Sequence, residues 1–339
     1  AKELGSEAHR GPKARGVSRT LPLLGLCCMA KEPNVLTLLE KSKLCVDPLQ
    51  KGVIEIFPRT SAVLEYLPFL NVSSDSYRYN LEQTLPGVAF RGLNENYDES
   101  TGTLNPVTES LTILGGHSDV DRVLVKTQGN LNDLRAIHDG LKAKSAALTF
   151  TRCFFKGDST GDPREFDGLQ ARLTGAQLID MGTTASGDTL TLAKLDELID
   201  AVQGGPDVLF MNKTMRRKVN ALRRAAGQAI ETVSDSFGRQ INAYASIPIG
   251  IIENDETDSP ILDFTEAAPG GGSSVCTSIY AIKFGVSEYV SGLQCGDLEV
   301  IDHGLYSGGV KYRTTIEWIT GLAIFNGKAA ARLRGIQNA

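Results

Sequence analysis

Hydrophobic positions along the chain change period several times, and each change predicts an element. From Val53 to Leu70 apolar residues dominate, interrupted by Pro58 and Pro68. Tyr77, Tyr79 and Leu81 then alternate with Arg78, Asn80 and Glu82, the two-residue period of a strand. Val107, Leu111 and Ile113 alternate in the same way with Thr108, Ser110 and Thr112. Between these runs, Leu85 to Pro106 is punctuated by Pro86-Gly87, Arg91-Gly92, Thr101-Gly102 and Asn105-Pro106. The pattern predicts a long two-stranded excursion with an irregular middle. A ribbon of that kind cannot bury its own faces in water. It is therefore expected to rest on another part of the chain or on another chain.

The period lengthens to three and four residues over 130–155. Leu134, Ile137, Leu141, Ser145 and Leu148 mark one face of a predicted amphipathic helix, with Asn130 and Asp133 as a capping pair and Gly157-Asp158 as its end. At 1.5 Å per residue this helix is about 39 Å long, a structural beam. Leu192, Leu195, Leu198, Ile199 and Val202 predict a second helix over 191–203, closed by Gly204-Gly205-Pro206. Val208–Met211 reads as a short buried strand. Asn212 is placed to cap a further helix that carries Met215, Val219, Leu222 and Ala226 on one face. Residues 247–252, 261–264 and 279–284 are strand-like. Late in the chain Tyr312, Thr314, Ile316 and Trp318 alternate with Lys311, Arg313, Thr315 and Glu317, which predicts a long strand. An early helix is expected from Pro33-Asn34 through Val35, Leu38, Leu39 and Val46, stopped by Asp47-Pro48. Helices and strands are mixed without strict alternation, which favours an α+β class.

Charge sharpens this picture. With 35 Lys and Arg against 40 Asp and Glu the net charge is −5, opposite in sign to a dedicated nucleic-acid binder. The distribution is uneven. Residues 1–33 carry Lys2, Arg10, Lys13, Arg15, Arg19 and Lys31 against Glu3, Glu7 and Glu32, show no clear period, and are expected to order only against something else. Glu3, Glu7 and Pro22 argue against reading Leu21–Ala30 as a secretion signal. Residues 81–112 hold Glu82, Glu95, Asp98, Glu99 and Glu109 against Arg91 alone, so the surface the excursion meets is expected to be neutral or basic. Lys213, Arg216, Arg217, Lys218, Arg223 and Arg224 share one helix. A solvated face, a contact with a neighbouring subunit and a phosphate backbone all remain open for it. No stretch of 18 apolar residues predicts a membrane helix.

Candidate chemistry is sparse. The six cysteines at 27, 28, 45, 153, 276 and 295 form no Cys-x-x-Cys, and the histidines at 9, 117, 138 and 303 follow no ligand spacing. Reduced thiols packed as small hydrophobes, and no metal site, are expected. Gly157-Asp158-Ser159-Thr160-Gly161 matches the G-x-S-x-G of hydrolases, but it follows a helix where that chemistry needs a strand-to-helix turn. A polar loop is the favoured reading, with a Ser159 nucleophile as the alternative. Gly270-Gly271-Gly272-Ser273-Ser274 lacks the Lys of a phosphate loop and reads as a flexible surface loop. Glu253-Asn254-Asp255-Glu256-Thr257-Asp258 lacks EF-hand spacing and reads as a solvated acidic loop. No catalytic, cofactor-binding or metal-binding residue is assigned.

The wording and order of several segments resemble the major capsid proteins of tailed bacteriophages with the Hong Kong 97 fold. They are Leu85-Pro86-Gly87-Val88-Ala89-Phe90-Arg91-Gly92; Ile113-Leu114-Gly115-Gly116 with Asp119-Val120-Asp121-Arg122; Phe166-Asp167-Gly168-Leu169-Gln170-Ala171-Arg172-Leu173; Phe210-Met211-Asn212; and Tyr312-Arg313 through Trp318 into Gly321-Leu322-Ala323. The resemblance runs from about residue 34 to the end. It implies an N-terminal arm (1–52), a peripheral domain in parts (53–80 and 116–203, with a spine helix at 130–155), an extended loop (81–115), an axial domain (204–307), a peripheral return strand (308–322) and a C-terminal segment (323–339). It also implies a non-enzymatic shell subunit, found in the virion and assembled in the host cytoplasm, that forms hexamers and pentamers around double-stranded DNA. Its partners would be copies of itself, a scaffold, a portal and decoration proteins, with weak contacts to DNA without sequence specificity and none to membrane. Subunit contacts are expected at Phe90, Arg91, Glu95, Tyr97, Asp98, Glu99, Arg216, Arg217, Arg223 and Arg224. Some members weld subunits through a lysine on the extended loop. Here no lysine lies between Lys51 and Lys126, so that bond is not expected in the same form. An encapsulin-like nanocompartment that encloses an enzyme is the related alternative.

Overall fold

A computed structural model describes residues 61–128, 134–234, 238, 240–272, 274–306 and 308–338. All of these fall within the unit Val35–Ala339. The expected arm, the early helix from Val35 and the Asn130–Asp133 cap lie outside them.

Two sheets and a separate ribbon hold the described strands. The first sheet is organised by β14 (Lys311–Ile324), the strand predicted by the alternation around Trp318. Along one edge it pairs with β12 (Val290–Gln294) and β13 (Glu299–Tyr306), and along the other with β4 (Thr112–Asp121). The short β1 (Phe69–Asn71) extends the sheet beyond β12. This corrects the expected division of the chain at 307 and 308. The strands β12 and β13 belong to the sheet of β14, because β13 pairs antiparallel with it and sets Val300 opposite Ile316. The alternation 107–113 is likewise not one strand. It breaks at Leu111, where the chain leaves the ribbon and enters β4.

The spine helix α3 (Leu134–Lys156) packs against this sheet, ahead of which α1 (Ala62–Tyr66) and α2 (Arg122–Gln128) are short turns of helix. The helix is where the period predicted it, but its buried face is a different one. Asp139, Ala143, Ala147, Phe150 and Phe154 face the core, whereas Ile137 and Leu141 are 48% and 59% exposed. The physical reason is closeness of approach. Ala143 and Ala147 are fully buried, and their small side chains let the helix lie close on the core beneath it. Further along, Phe150 meets Phe69, Trp318 and Phe166 with ring centroids 6.1, 5.1 and 5.7 Å away.

At its C-terminal end the spine is joined to α4 (Leu169–Arg172) by a tight backbone crossing. The N–H of Gly168 donates to the Gly157 carbonyl at 2.9 Å, and a Cβ on Gly168 would stand 2.5 Å from the Cys153 carbonyl oxygen. Only glycine fits that approach.

The second sheet runs in the order β5 (Leu178–Asp180), β15 (Ala330–Gln337), β11 (Ser274–Ile282), β6 (Val208–Met211), β9 (Ile247–Ile251), β8 (Gln240–Tyr244) and β7 (Glu231–Ser234), with β10 (Glu266–Ala267) beside β11. Its central strands are buried on both faces. Val208, Phe210, Tyr280 and Ile282 join the core under the spine helix, while Leu209, Met211, Ile279, Ala281 and Leu333 form a second core under α5 (Leu192–Asp200) and α6 (Lys213–Ala225). The last residues are therefore not a separate C-terminal segment. They are β15, in the middle of this sheet, paired with β11 and β5.

Local signals hold where the chemistry is local. Asn212 caps α6, its Oδ1 accepting from the Met215 N–H at 2.7 Å. By contrast Ile261–Phe264 is a loop with Ile261 and Leu262 buried rather than a strand. Gly270 and Gly272 are not placed by flexibility but by fit, since a Cβ at either would strike the backbone of Thr183 or Ala185.

Candidate assembly surfaces

The ribbon β2 (Ser76–Thr84) and β3 (Thr103–Ser110) is a two-stranded sheet of its own. Beyond it, residues 85–102 form an irregular loop whose every side chain is exposed. Val88, Phe90 and Leu93 are 96%, 108% and 96% exposed, and Leu85 and Tyr97 also face solvent. Isolated apolar residues on a surface are ordinary; here several lie close together on the loop that ends the ribbon. Covering Val88, Phe90 and Leu93 would contribute about 5–9 kcal/mol at about 1.5–3 kcal/mol per side chain, before ordering costs.

The loop has a defined shape. The Arg91 guanidinium donates to the Glu95 carbonyl at 3.1 Å and lies 5.3 Å over the Tyr97 ring. The Glu95 carboxylate accepts from the Gly92 N–H at 2.7 Å, and Ser100 Oγ donates to the Gly87 carbonyl at 2.8 Å. Asn94 supports the turn with φ of 67°, a left-handed conformation that Asn tolerates. Of the expected contact residues, Arg91, Glu95 and Tyr97 thus shape the tip. Phe90, Asp98 and Glu99 are presented to solvent.

The root of the ribbon is built differently. Tyr77 and Tyr79 stack at 6.1 Å and pack on Phe325 at 6.0 and 4.7 Å. The Tyr79 hydroxyl lies 3.0 Å from the Ile324 carbonyl and 3.1 Å from Glu109 Oε1. Burial, with the Glu109 carboxylate beside it, pushes the Tyr79 phenol above its ordinary pKa and keeps it a donor. Glu109 also takes a two-pronged contact from Arg172, 2.5 Å from Nη1 and 2.7 Å from Nη2. One of the five acids counted toward the outward face of the excursion is therefore turned inward at its base. Their pairing carried no signal in the sequence, because 63 positions separate them.

On α6 the six cations divide. Lys213 pairs with Glu253 at 2.8 Å, and the Lys218 ammonium, its pKa lowered by burial, donates to the Gln337 carbonyl at 2.9 Å. Arg223 is only 3% exposed, which corrects its assignment to a subunit contact. Its guanidinium donates to the Ala243 carbonyl at 2.7 Å and to Glu231 at 2.8 Å, holding β8 and β7 to the helix. Arg217 and Arg224 are exposed and Arg216 half-buried, and the bonds of Arg217 to Thr214 and of Arg224 to the Asn220 carbonyl stay within the helix.

The other sequence motifs resolve into local structure. Ser159 lies in a turn directly after the spine helix, its N–H donating to Asp167 at 2.8 Å. The downstream His303 shares the Thr315 hydroxyl with His117 on the first sheet, at 2.9 and 2.8 Å. In the acidic loop, Asp255 accepts from the N–H groups of Thr257 and Ser259 at 2.8 and 2.9 Å. Among the described residues no group of three or more His, Cys, Asp or Glu is arranged to hold a metal ion. Cys153, Cys276 and Cys295 are free thiols. No helix among the described residues is long and apolar enough to cross a membrane.

Comparisons with known proteins agree with this architecture. Residues 47–192, a span that includes the ribbon, the spine helix and α4, match the family described as major capsid protein GP7. No curated protein matches the sequence. Among solved structures, the holo-SrpI encapsulin complex from Synechococcus elongatus PCC 7942 is similar at a TM-score of 0.61 and 19% identity, covering 84% of this chain and 89% of that one. A structure from Microbacterium phage Oxtober96 is similar at 0.59 and 14% identity, covering 82% and 90%. The capsid of an empty GTA particle is similar at 0.57 and 16% identity, with the same coverage. The fold is the α+β Hong Kong 97-type capsid fold, as the ordered segments of the sequence imply.

Proposed function

We propose that copies of this chain, a major capsid protein of the Hong Kong 97 type, close into the hexamers and pentamers of an icosahedral shell around double-stranded DNA. The observation that carries the reading is the loop 85–102, a shaped tip that exposes Val88, Phe90 and Leu93 well away from the chain's own core. A second copy supplies the missing cover. A contact between an arm on one subunit and a different surface on the next is heterologous, so it repeats until curvature closes it. Many modest contacts per subunit then make loss of any one reversible, because the others keep the subunit tethered. Arg216, Arg217 and Arg224 on α6 offer a second contact, with an acidic surface of a neighbour. In this reading the protein carries no catalytic site, resides in the virion, assembles in the host cytoplasm and works with a scaffold, a portal and decoration proteins. The acidic balance of the chain suits a container whose DNA slides rather than sticks.

The test is deletion of residues 85–102 with a two-residue Asn-Gly turn in their place. The subunit should keep its unfolding midpoint, since these side chains bury nothing in it, and closed shells should be lost from electron micrographs. Parental shells from the shortened chain would overturn the claim for the loop. The likeness to an encapsulin supports a second reading, a shell that encloses an enzyme. Purified particles that contain protein cargo and no DNA would favour it.

A further inference from the structure

The ribbon's direction needs a cause. Neither β2 nor β3 is hydrogen-bonded to the two larger sheets, so no ladder sets the angle at which the arm leaves the body. Other attachments hold its root. The chain itself continues into β4 through Leu111, whose N–H donates to the Asp75 carbonyl at 2.8 Å. The Tyr77 and Tyr79 rings lie on Phe325, an apolar contact that holds the ribbon close, and the Tyr79 hydroxyl adds a single hydrogen bond to the Ile324 carbonyl at 3.0 Å. The two-pronged attachment is the fork between Glu109 and Arg172, with side chains only 11% and 17% exposed. A two-pronged guanidinium–carboxylate contact is directional, and shelter from water leaves it little screened by salt.

Arg172 is itself held. Its Nε donates to the Asp167 carbonyl at 2.7 Å, and it ends α4, the short helix locked to the spine by the Gly157–Gly168 crossing. A rigid line therefore runs from the C-terminal end of the spine helix, through α4 and Arg172, to Glu109 on β3. We infer that Glu109 and Arg172 are a positioning pair that aims the extended arm and thereby sets the angle between neighbouring subunits.

The lever is long. Glu109 stands opposite Tyr77, and from there to Thr84 the strand runs about 23 Å at about 3.3 Å per residue. A rotation of about 10° at the root moves the end of the ribbon by about 4 Å, and the loop tip further still, on that same rise per residue. Heterologous contacts close only at the right curvature, so an error of this size changes which particles form, not merely how many. The inference rests on the shell reading above and adds to it the element that governs geometry.

Two mild variants of the full-length chain test it. Glu109→Gln keeps shape and removes the charge. Arg172→Lys keeps the charge and removes the fork. Both are expected to fold like the parent by circular dichroism and by the fluorescence of the buried Trp318. Both should give fewer closed shells by about tenfold, as expected for one charge-assisted bond, and a broadened distribution of shell diameters in electron micrographs. The double variant should be no worse than either single one, because the two side chains act as a unit. Folded single variants with parental yield and diameter, or losses that add in the double variant, would overturn the inference. A merely stabilising pair would lower the unfolding midpoint and leave the diameter unchanged, which also overturns it. If Glu109→Gln does not fold, Arg172→Lys decides alone by the same readouts. A parent chain that forms no shells in any condition defeats the proposed function instead, so the two failures are distinguishable.

Discussion

Asp139 lies on the buried face of the spine helix, only 3% exposed. Burial raises its pKa above the ordinary carboxylate range, against the opposing effects of hydroxyl bonds from Ser118 and Thr314 and of the Arg135 charge. Arg135 spends its own charge on Asp302, at 2.6 Å, and that hydrogen bond holds the Asp302 carboxyl below its usual range. The two acids therefore respond to pH with opposite sign. A carboxyl whose folded pKa is raised binds its proton more tightly in the folded state, so stability falls as pH rises from about 4 through the folded value. For Asp302 the stabilising contribution is present above its unfolded pKa and is lost as pH falls through the depressed folded one. Asp139→Asn is accordingly expected to raise the unfolding temperature at pH 7, with the gain disappearing as the pH approaches 4. A lower midpoint for the variant at pH 7, measured by differential scanning calorimetry, would show that the ionised carboxylate is worth more than its burial costs.

Between residues and the whole molecule stand elements whose existence was legible and whose packing was not. The spine helix has the period expected of it, yet that period contains two apolar stripes. The stripe of larger residues, Ile137 and Leu141, is the exposed one. Hydrophobicity alone favours that face. Close approach decides for the other, because Ala143 and Ala147 are fully buried and leave room for the core beneath them where Leu would not. The same logic governs the end of the helix. Gly168→Ala puts a methyl 2.5 Å from a carbonyl oxygen and 2.8 Å from the Gly157 nitrogen, neither of which can move without opening the crossing. A loss of about 1–3 kcal/mol is expected, the usual cost of forcing extra volume into a packed site. An unchanged denaturation midpoint would show that the crossing is looser than its geometry. Because α4 carries Arg172, the variant is also a check on whether disturbance here reaches the arm.

At the scale of the molecule, charge has to be counted where it is exposed. The excursion is acidic in sequence, but Glu109 is spent at the root and Glu95 within the tip. Asp98 and Glu99 stay exposed to solvent, and in the proposed shell they would meet a neighbour. Opposite them in sign, Arg216, Arg217 and Arg224 remain after Lys213, Lys218 and Arg223 are engaged within the chain. Exposed charges interact over about 8 Å at physiological ionic strength, and salt weakens them. Reversing Asp98 and Glu99 to Lys is therefore expected to shift the salt concentration at which shells appear, with the subunit's own stability within about 0.5 kcal/mol of the parent. Assembly followed by light scattering across salt checks it, and superimposable curves would mean that apolar burial alone drives the contact.

Sequence by itself determined what is local. The periods placed the helices and most strands, Asn212 announced its cap, and turn residues between two alternating runs announced the ribbon. These features depend on residues three or four positions apart, so their physics is written in spacing. Tertiary structure decided everything that joins distant positions: the buried face of the spine helix, the assignment of β12 and β13 to the sheet of β14, the central place of β15, the burial of Arg223 against Ala243, and the meeting of Glu109 with Arg172. A side chain's partner, and hence whether its charge is spent or offered, is set by where the backbone carries it. Only the packed chain fixes that position.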